Sequence, residues 1–472
     1  MEVIPLRPRR AALALWVAAA WATGCSTLQP PAAAPLGGTT TSAQWTASTA
    51  SAAATDLAAW WRRFGDPTLD ALIADALAAN TDIAAARAQL RQSRALADVA
   101  DAQRGPSVDA SGSAQRSRTA SASSSNRFQA GLDAGWEIDV FGGRRAAANA
   151  SALDAQASAA TLADVQVSVA AEVALAYLSL RGSEARLAIA EGNLASQQET
   201  LQITEWRVLA GLATSLNAEQ ARAAVEQTRA QVPALQKAAA LSRHQLALLT
   251  GRSVAELPAL GTSPLPAAPA DLALAFPADT LRQRADLRAA EARVAAAAQR
   301  VVQADAARYP SFSLIGSLGL SALTLSGLTG GGAVASSLLA GVSLPIFDGG
   351  AAKAQLGAQR AAFDAAQSAW RAGVLGALKE VEDALVTLQR DRERLAALTR
   401  ASEAAANAAL LARQRYASGL VDFQTVLETQ RSQLSSQDGV ASATVDVATD
   451  HVRLYKALGG GWQPDAPLAA AR

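Results

Sequence analysis

Residues 142–209 read GGRRAAANASALDAQASAATLADVQVSVAAEVALAYLSLRGSEARLAIAEGNLASQQETLQITEWRVL, and proline is absent from the whole stretch. Residues 349–417 repeat this alanine-, leucine- and arginine-rich pattern, again without proline. An α-helix rises 1.5 Å per residue, so each stretch predicts a helix of roughly 100 Å. Globular helices usually have about 8–20 residues, whereas longer ones are typical of coiled coils and helical repeats. The sequence is therefore organised around two unusually long helices.

The composition of the 472 residues favours helical packing over catalysis. Hydrophobic residues make up 50% of the chain, but aromatic residues only 4%, which suits closely packed helices better than a thick globular core. The net charge of +1 gives no basic surface field of the kind that attracts nucleic acid. Two histidines and one cysteine leave few ligands for a metal or thiol active site. We expect neither an enzyme nor a nucleic-acid-binding protein, and no cofactor.

The N-terminus has the pattern of an export signal. Three arginines within residues 7–10 precede the apolar residues 11–20, which are too few to span a bilayer. The only cysteine follows in Gly24-Cys25-Ser26, which resembles a bacterial lipobox. We expect residues 1–24 to be a signal peptide and Cys25 to carry a covalent lipid. The alternative is ordinary cleavage after Ala22, which would leave Cys25 as a free thiol.

The mature chain contains two copies of one unit. Asp82-Ile83 matches Asp286-Leu287 and Pro106-Ser107 matches Pro310-Ser311, and the later Arg207 matches Arg415. These matches keep their order over two hundred residues, so chance similarity is a poor explanation. The predicted divisions are a lipidated tether (25–59), repeat one (60–250), a proline-rich linker (251–276), repeat two (277–460) and a C-terminal tail (461–472).

Between the helices of each repeat the apolar residues alternate with polar ones, which predicts β-strands with one apolar face. The expected strands are 107–117 and 127–139 in repeat one, and 311–321 and 334–346 in repeat two. Segments of about ten alternating residues suit a transmembrane barrel. Four strands cannot close a barrel, and open sheet edges cannot face lipid. A membrane barrel would therefore require several copies of the chain; the alternative is hairpins that pack on a soluble core.

Three motifs in this order resemble the TolC-type outer-membrane factor family. They are Asp66-Pro67-Thr68-Leu69, Phe141-Gly142-Gly143, and the Arg-x-x-x-Gly-Leu turns after each long helix. The lipobox is similar to that of the NodT-like efflux outer-membrane lipoprotein branch. The resemblance implies a mainly α fold with a membrane β-barrel portion. In it, a homotrimer of tandem α-β-β-α repeats forms a 12-stranded outer-membrane β-barrel continuous with a long periplasmic α-helical barrel.

The resemblance also implies a function. The protein would be the passive exit duct of a tripartite efflux system, anchored in and spanning the cell outer membrane. Its partners would be outer-membrane lipid, a periplasmic adaptor (membrane fusion) protein and an inner-membrane pump of the RND type. Two alternatives remain open at this point: a type I polypeptide secretion duct, and a periplasmic adaptor or structural lipoprotein without a channel. The exported compounds are not evident from the sequence.

In the family, the turns after the long helices form the periplasmic tips at which the adaptor docks. Carried over to this sequence, the docking candidates are Arg207, Gly211, Leu212, Arg415, Gly419 and Leu420. The two glycines also fit left-handed helix C-caps. The family often places an acidic residue beyond the second tip glycine, where it contributes to the closed constriction. The neighbouring candidate here is Asp422, whose alternative role is that of a solvated carboxylate.

The turns from strand to long helix form a second candidate region. Phe141-Gly142-Gly143 matches Phe347-Asp348-Gly349-Gly350 if one residue is inserted. Glycine suits a turn from a sheet into a helix, because this change of direction requires unusual backbone angles. We therefore expect Phe141, Gly142, Gly143, Phe347, Gly349 and Gly350 to lie where membrane strands become helices.

Overall fold

The computed structural model describes residues 29–31, 57–118, 124–257, 260–261, 264–266, 283–330 and 333–462. The signal peptide, Cys25, most of the tether, most of the linker and nearly all of the C-terminal tail lie outside these residues. Seven α-helices and four strands follow one another in the described part. The helices are α1 (Pro67–Ala79), α2 (Thr81–Ala102), α3 (Gly143–Leu209), α4 (Ser215–Leu249), α5 (Ala285–Ala306), α6 (Ala351–Ala417) and α7 (Phe423–Ala457). The strands are β1 (Ser107–Ser117), β2 (Ser125–Ile138), β3 (Ser311–Ala322) and β4 (Val334–Ser343).

The four strands form one antiparallel sheet in the order β1-β2-β3-β4. Residues directly opposite each other on neighbouring strands have side chains on the same side of the sheet, so the register assigns each side chain to one of two faces. One face carries Val108, Ala110, Leu132, Trp136, Leu314, Leu318, Leu338 and Val342. The other carries Asp109, Ser111, Ser113, Gln129, Asp133, Ser313, Ser317 and Ser337. The described residues do not cover the apolar face, since Leu338 and Val342 are 76% and 64% exposed.

Strand β4 is shorter than the alternation predicts. It ends at Ser343 rather than at residue 346, because its pairing with β3 ends at Ser311 opposite Ser343. Beyond that point Pro345 has no N–H to donate to a ladder. Ile346 and Phe347 are 88% and 93% exposed. The other three strands end within two residues of the expected positions.

The two halves of the chain have matching helices. Helices α2 and α5 both have 22 residues, and Ala285 follows Thr81 by 204 positions. Helices α3 and α6 both have 67 residues, and Ala351 follows Gly143 by 208 positions. Helices α4 and α7 both have 35 residues and keep the spacing of 208. The long helices begin one and two residues later than the predicted starts at 142 and 349, where the positive-φ glycines lie.

Within the described residues, α3 is the one helix with a window long and apolar enough to cross a membrane. Half of that window is buried inside the protein. The apolar residues of α3 therefore serve helix packing, as expected for the central helix of a bundle.

The chain divides into two compact units. The first contains the sheet and the adjoining parts of α2, α3, α5 and α6 (88–159 and 289–372). Its core packs α5 against α6 through Val294, Ala297, Val301, Leu356 and Phe363. In the same unit Ser93 contacts Ser158 at 2.8 Å, which joins α2 to α3, and the ion pair between Arg300 and Asp154 joins α5 to α3.

The second unit contains the remaining helical parts, including residues 57–87. The motif Asp66-Pro67-Thr68-Leu69 acts here as a helix start, because one oxygen of Asp66 accepts hydrogen bonds from the N–H groups of Thr68 and Leu69. The other oxygen accepts a 2.6 Å bond from the hydroxyl of Tyr177 on α3. Arg181, 1% exposed, donates to the same hydroxyl. Asp66 therefore fixes α1 to the middle of α3.

Candidate functional site

The first strand-to-helix turn, between β2 and α3, is built by one carboxylate and one glycine. Asp139 accepts hydrogen bonds from the backbone N–H groups of Arg144 (3.2 Å) and Arg145 (2.7 Å). These bonds satisfy the free donors in the first turn of α3, and the negative charge complements the helix dipole. Gly142 has φ +80°, which a side chain would disfavour. Gly143 is already helical.

The second turn, between β4 and α6, uses the same chemistry with a different spacing. Asp348 accepts from the N–H groups of Gly350 and Ala352, both at 2.8 Å. These bonds hold the pKa of the Asp348 carboxyl below its usual value. Gly349 and Gly350 have φ +63° and +89°. The constant spacing of 208 pairs Gly142 with Gly350, so the alignment of Gly143 with Gly350 implied by the sequence is wrong by one residue.

The two phenylalanines at these turns also differ. Phe141 stacks on Tyr309, with the ring centroids 4.9 Å apart. Phe347 is 93% exposed and therefore does not reproduce the packing of Phe141. Of the expected turn residues, Gly142, Gly349 and Gly350 lie in the turns and Gly143 begins the helix, whereas the two aromatic side chains have different surroundings.

Both tip turns, residues 210–214 and 418–422, follow one pattern of hydrogen bonds. Gly211 has φ +70° and Gly419 φ +76°. The N–H of Leu212 donates to the carbonyl of Arg207, and that of Leu420 to Arg415, each at 2.8 Å. Six-to-one bonds of this kind beside a left-handed glycine define a Schellman motif. The Arg-x-x-x-Gly-Leu sequence thus ends each long helix, since its first residue supplies the acceptor and its last the donor.

Arg207 and Arg415 have different environments although they occupy equivalent positions. The guanidinium of Arg207 lies 4.3 Å from the ring centroid of Tyr416, and it donates to the Tyr416 carbonyl at 3.3 Å. Tyr416 in turn packs against Phe423. Arg415 makes no ion pair within the described part of the chain. We call the Arg207–Tyr416 contact the tip latch, because it joins the two tips of one chain.

Several polar contacts continue from the tip latch along the helices of this unit. Gln430 donates to the hydroxyl of Thr200 at 2.9 Å, and Arg413 to that of Ser196 at 3.0 Å. Further along, Arg186 forms a bidentate ion pair with Asp438 at 2.6 and 3.0 Å. These polar contacts can be exchanged for water contacts when the helices separate, whereas the apolar cluster of Ala221, Phe423 and Leu427 beside them loses buried surface.

The two tips start their second helices with different caps. Thr214 accepts from the N–H of Asn217 at the start of α4. Asp422, the equivalent residue, accepts from the N–H of Thr425 at 2.9 Å and from its hydroxyl at 2.5 Å. These bonds lower the pKa of the Asp422 carboxyl. Asp422 is therefore a helix cap and carries a negative charge on the exposed second tip.

The sequence reasoning missed several exposed apolar residues around the first tip. Leu209 is 86% exposed, Leu212 76%, Leu216 64% and Trp206 59%. Leu212 belonged to the predicted docking set and Leu216 to the segment 214–217 that the resemblance places beside it, whereas Leu209 and Trp206 were not predicted. The signal in the sequence is a group of apolar residues on both sides of the tip glycine, where a solvent-exposed turn would usually have polar residues. A groove of about 310 Å³ lies beside the second tip, lined by Ile203, Leu410, Tyr416 and neighbouring residues.

A buried acidic pair lies farther from the tips, where α6 meets α7. Asp450 is 2% exposed, and its Oδ2 has no hydrogen-bond donor among the described residues. Burial and the adjacent carboxyl of Asp391 raise the pKa of Asp450 to about 6, although Arg453 opposes the shift. Arg394 lies 3.6 Å from Asp391. In the part of the chain described here, no group of three or more His, Cys, Asp or Glu residues could hold a metal ion.

A sheet with an exposed apolar face, joined through capped glycine turns to long helices, defines the class of outer-membrane channels with a helical periplasmic part. The model of the outer membrane efflux protein family matches residues 72–252 and 276–460. The chain belongs to this family, which confirms the resemblance to TolC-type proteins. It is an outer-membrane channel of an efflux system. In tripartite systems, channels of this family work with a periplasmic adaptor and an inner-membrane pump.

Individual relatives agree with this assignment. The chain is 35% identical to the pyoverdine export outer membrane protein OpmQ of Pseudomonas putida, over 94% of this chain and 96% of that protein. It is 31% identical to nodulation protein T of Rhizobium leguminosarum bv. viciae, over 88% and 86%. The solved outer-membrane channel OprN superposes with a TM-score of 0.86 at 37% identity, covering 93% of this chain and 100% of that one. Such solved relatives are trimers that combine a helical barrel with a β domain.

The acidic pair predicts a specific pH dependence. The pKa of Asp450 is higher in the folded protein than the ordinary 3.8, so the folded state retains a proton that the unfolded state loses. Stability should therefore fall as pH rises from about 4 to about 6, by on the order of 3 kcal/mol, and then level off. Asp450→Asn should flatten this slope in thermal unfolding followed by circular dichroism.

Glu226→Gln is the matched control, because Glu226 forms an exposed ion pair with Arg229 on α4 and shares no partner with Asp391 or Asp450. This variant should keep the pH slope of the parent protein. Equal slopes in the parent and Asp450→Asn would show that Asp450 does not hold the proton.

Proposed function

We propose that three copies of this chain form the exit duct of a tripartite efflux system, with twelve strands closing one membrane barrel. The observation that carries the proposal is the four-stranded sheet, whose apolar face is exposed and whose outer strands β1 and β4 each have one side without a paired strand among the described residues. Lipid offers no hydrogen bonds to such edges, so the sheet requires further strands from identical chains. Solutes would diffuse through the lumen, and the energy would come from an inner-membrane pump of the RND type.

The tips are the proposed docking surface for the adaptor. Arg207, Gly211, Leu212, Arg415, Gly419 and Leu420 lie in or next to the two Schellman turns, and Leu212 and Leu420 are 76% and 74% exposed. Exposed leucines on a rigid turn suit insertion into an apolar pocket of a partner. The unpaired Arg415 offers a cation to that partner. Leu209 and Leu216 extend the same apolar surface at the first tip.

The tip latch is the proposed restraint on opening. Arg207 holds the first tip to the second in each chain through its contact with the Tyr416 ring and carbonyl. An adaptor that contacts the tips would compete for these groups and release the latch. Opening would then exchange the polar contacts of Thr200 with Gln430 and of Ser196 with Arg413 for contacts with water.

Conductance of the purified protein in a planar lipid bilayer tests the proposed duct. The parent protein should form channels that are mostly closed. Arg207→Ala should raise the open probability about tenfold or more, because a cation–π contact and a charged hydrogen bond are together worth about 1–3 kcal/mol per chain. Arg222→Ala, which removes an exposed ion pair near the same tip, should leave the open probability unchanged. Protein without any conductance in both variants would contradict the duct.

Asp422 is proposed to charge the closed constriction, as one of three equivalent carboxylates. Asp422→Asn separates this role from capping, since asparagine caps a helix about as well as aspartate. The variant should keep its thermal stability but lose cation preference, measured as the reversal potential in a salt gradient. An unchanged reversal potential would leave Asp422 with its capping role alone.

Cys25 is proposed to carry the covalent lipid that anchors the N-terminus in the outer membrane; no other cofactor is proposed. Cells fed a labelled fatty acid should incorporate the label into the parent protein, whereas Cys25→Ser should take up none. Mass spectrometry of the mature N-terminus provides the control. A parent protein that begins at Thr23 would show cleavage after Ala22 and would contradict lipidation.

A further inference from the structure

The polar face of the sheet carries one pair of large apolar side chains. Ile315 of β3 lies directly opposite Leu339 of β4, and the two side chains are 47% and 60% exposed. The other described residues of β3 and β4 on this face are serine, glycine or alanine. We call Ile315 and Leu339 the lumen patch, because this face points into the barrel when the apolar face meets lipid.

The proposed barrel is too wide for the lumen patches of different copies to cover one another. Twelve strands about 4.8 Å apart and tilted by about 40° form a ring about 24 Å across. Sheets whose side chains meet face to face pack only about 10 Å apart. The patch therefore contacts the contents of the lumen, and an apolar group that covers it gains the free energy of removing both surfaces from water.

Two carboxylates lie near the lumen patch on the same face. Asp109 of β1 directly opposes Asp133 of β2, and neither forms an ion pair among the described residues. Asp133 accepts a 3.2 Å hydrogen bond from the hydroxyl of Ser111. Like charges directly opposite each other destabilise a strand pair, and a cation bound between them would relieve that repulsion. The next carboxylate along β2 on this face, Glu137, is already paired with Arg144.

One small molecule can contact the carboxylates and the lumen patch together. Asp133 lies opposite Ser317, which is two positions from Ile315 on β3. Diagonal neighbours of this kind lie about 7–8 Å apart. Between them Gly135 has no side chain, and a Cβ there would first meet the Ser107 hydroxyl at 3.8 Å. The surface beside Ile315 is therefore open, with an apolar wall on one side and negative charge on the other.

We propose that the lumen patch, Asp109 and Asp133 form a binding subsite for organic cations that carry an aromatic or alkyl body. This inference rests on the proposed duct and adds to it a determinant of specificity inside the barrel. The ammonium group lies at the two carboxylates, and the apolar body covers Ile315 and Leu339. Repeat one supplies the charge and repeat two the apolar surface, so one chain holds a complete subsite and the trimer holds three.

Block of the open channel by three small ions tests the subsite in a planar lipid bilayer. Benzyltrimethylammonium has both features, tetramethylammonium only the positive charge, and benzenesulfonate only the ring. Within open periods of the purified protein, benzyltrimethylammonium should block with about tenfold higher apparent affinity than tetramethylammonium, the gain from covering roughly 60 Å² of apolar surface. Benzenesulfonate should block at least about fivefold more weakly than benzyltrimethylammonium, because the carboxylates repel it.

Variants separate the two parts of the subsite. Ile315→Ser combined with Leu339→Ser should reduce block by benzyltrimethylammonium to the level of tetramethylammonium. Asp133→Asn should weaken block by both ammonium ions about two- to fivefold and leave their ratio unchanged. Gln129→Ser is the matched control, because it shortens a side chain on the same face of β2 that lies farther from the patch. It should alter block by none of the three ions.

Photolabelling locates the subsite by a measurement that requires no conductance. The probe is (4-benzoylbenzyl)trimethylammonium, irradiated with the parent protein in lipid vesicles. Peptides that contain Ile315 or Leu339 should carry label that an excess of benzyltrimethylammonium prevents and an equal excess of benzenesulfonate does not.

The outcomes separate this inference from the proposed function. Equal block by benzyltrimethylammonium and tetramethylammonium in a conducting parent protein would overturn the subsite while the duct stands, as would competed label confined to other peptides. A lack of conductance in the parent and in Arg207→Ala would overturn the duct and the subsite together. Discrimination that disappears in the Ile315→Ser, Leu339→Ser variant, with competed label at either position, would establish the subsite.

Discussion

The unpaired edges of the four-stranded sheet are the constraint on which the rest of the structure depends. Each edge peptide group has a donor and an acceptor, and in hydrocarbon an unmet group costs several kcal/mol. Strand β1 and strand β4 each present such a row beside an apolar face. A soluble protein would cover the face or protect the edges with charges. The described residues leave both open, which agrees with the trimeric β domain of the solved relatives, in which identical chains complete the barrel.

The turns at the ends of the long helices connect the sheet to the periplasmic helices. A sheet wall becomes a helical wall within a few residues at Gly142 and at Gly349-Gly350, and in each case an aspartate satisfies the first helical N–H groups. At the other end, glycine and the arginine carbonyl close both helices in Schellman turns. The spacing of 208 residues between the repeats is the same from β2 and β4 to α4 and α7. Repeats that close into one ring require strands and helices of equal length in both copies.

Periodicity and special residues made much of this fold predictable from sequence. Alternation located three strands within two residues, and proline-free length located α3 and α6. The errors arose where another segment decides the outcome. The end of β4 depends on where its pairing with β3 stops, and the alignment of the glycine turns depends on where each long helix begins. The pairing of Asp391 with Asp450 depends on how α6 packs on α7, which no local pattern encodes.

The two repeats have matching backbones, but their side chains differ at the tips. Arg207 finds the ring and carbonyl of Tyr416 within its own chain. If neighbouring copies meet as the repeats do, Arg415 would face the position equivalent to Tyr416, which is Val208. Val208 keeps a backbone carbonyl but offers no π face, so only half of the latch could form there. Three copies would therefore carry three latches rather than six, all within chains, and the seams between chains would be free to part first. An adaptor could then open the tip between copies without breaking every contact at once, while Arg415 remains available to bind it.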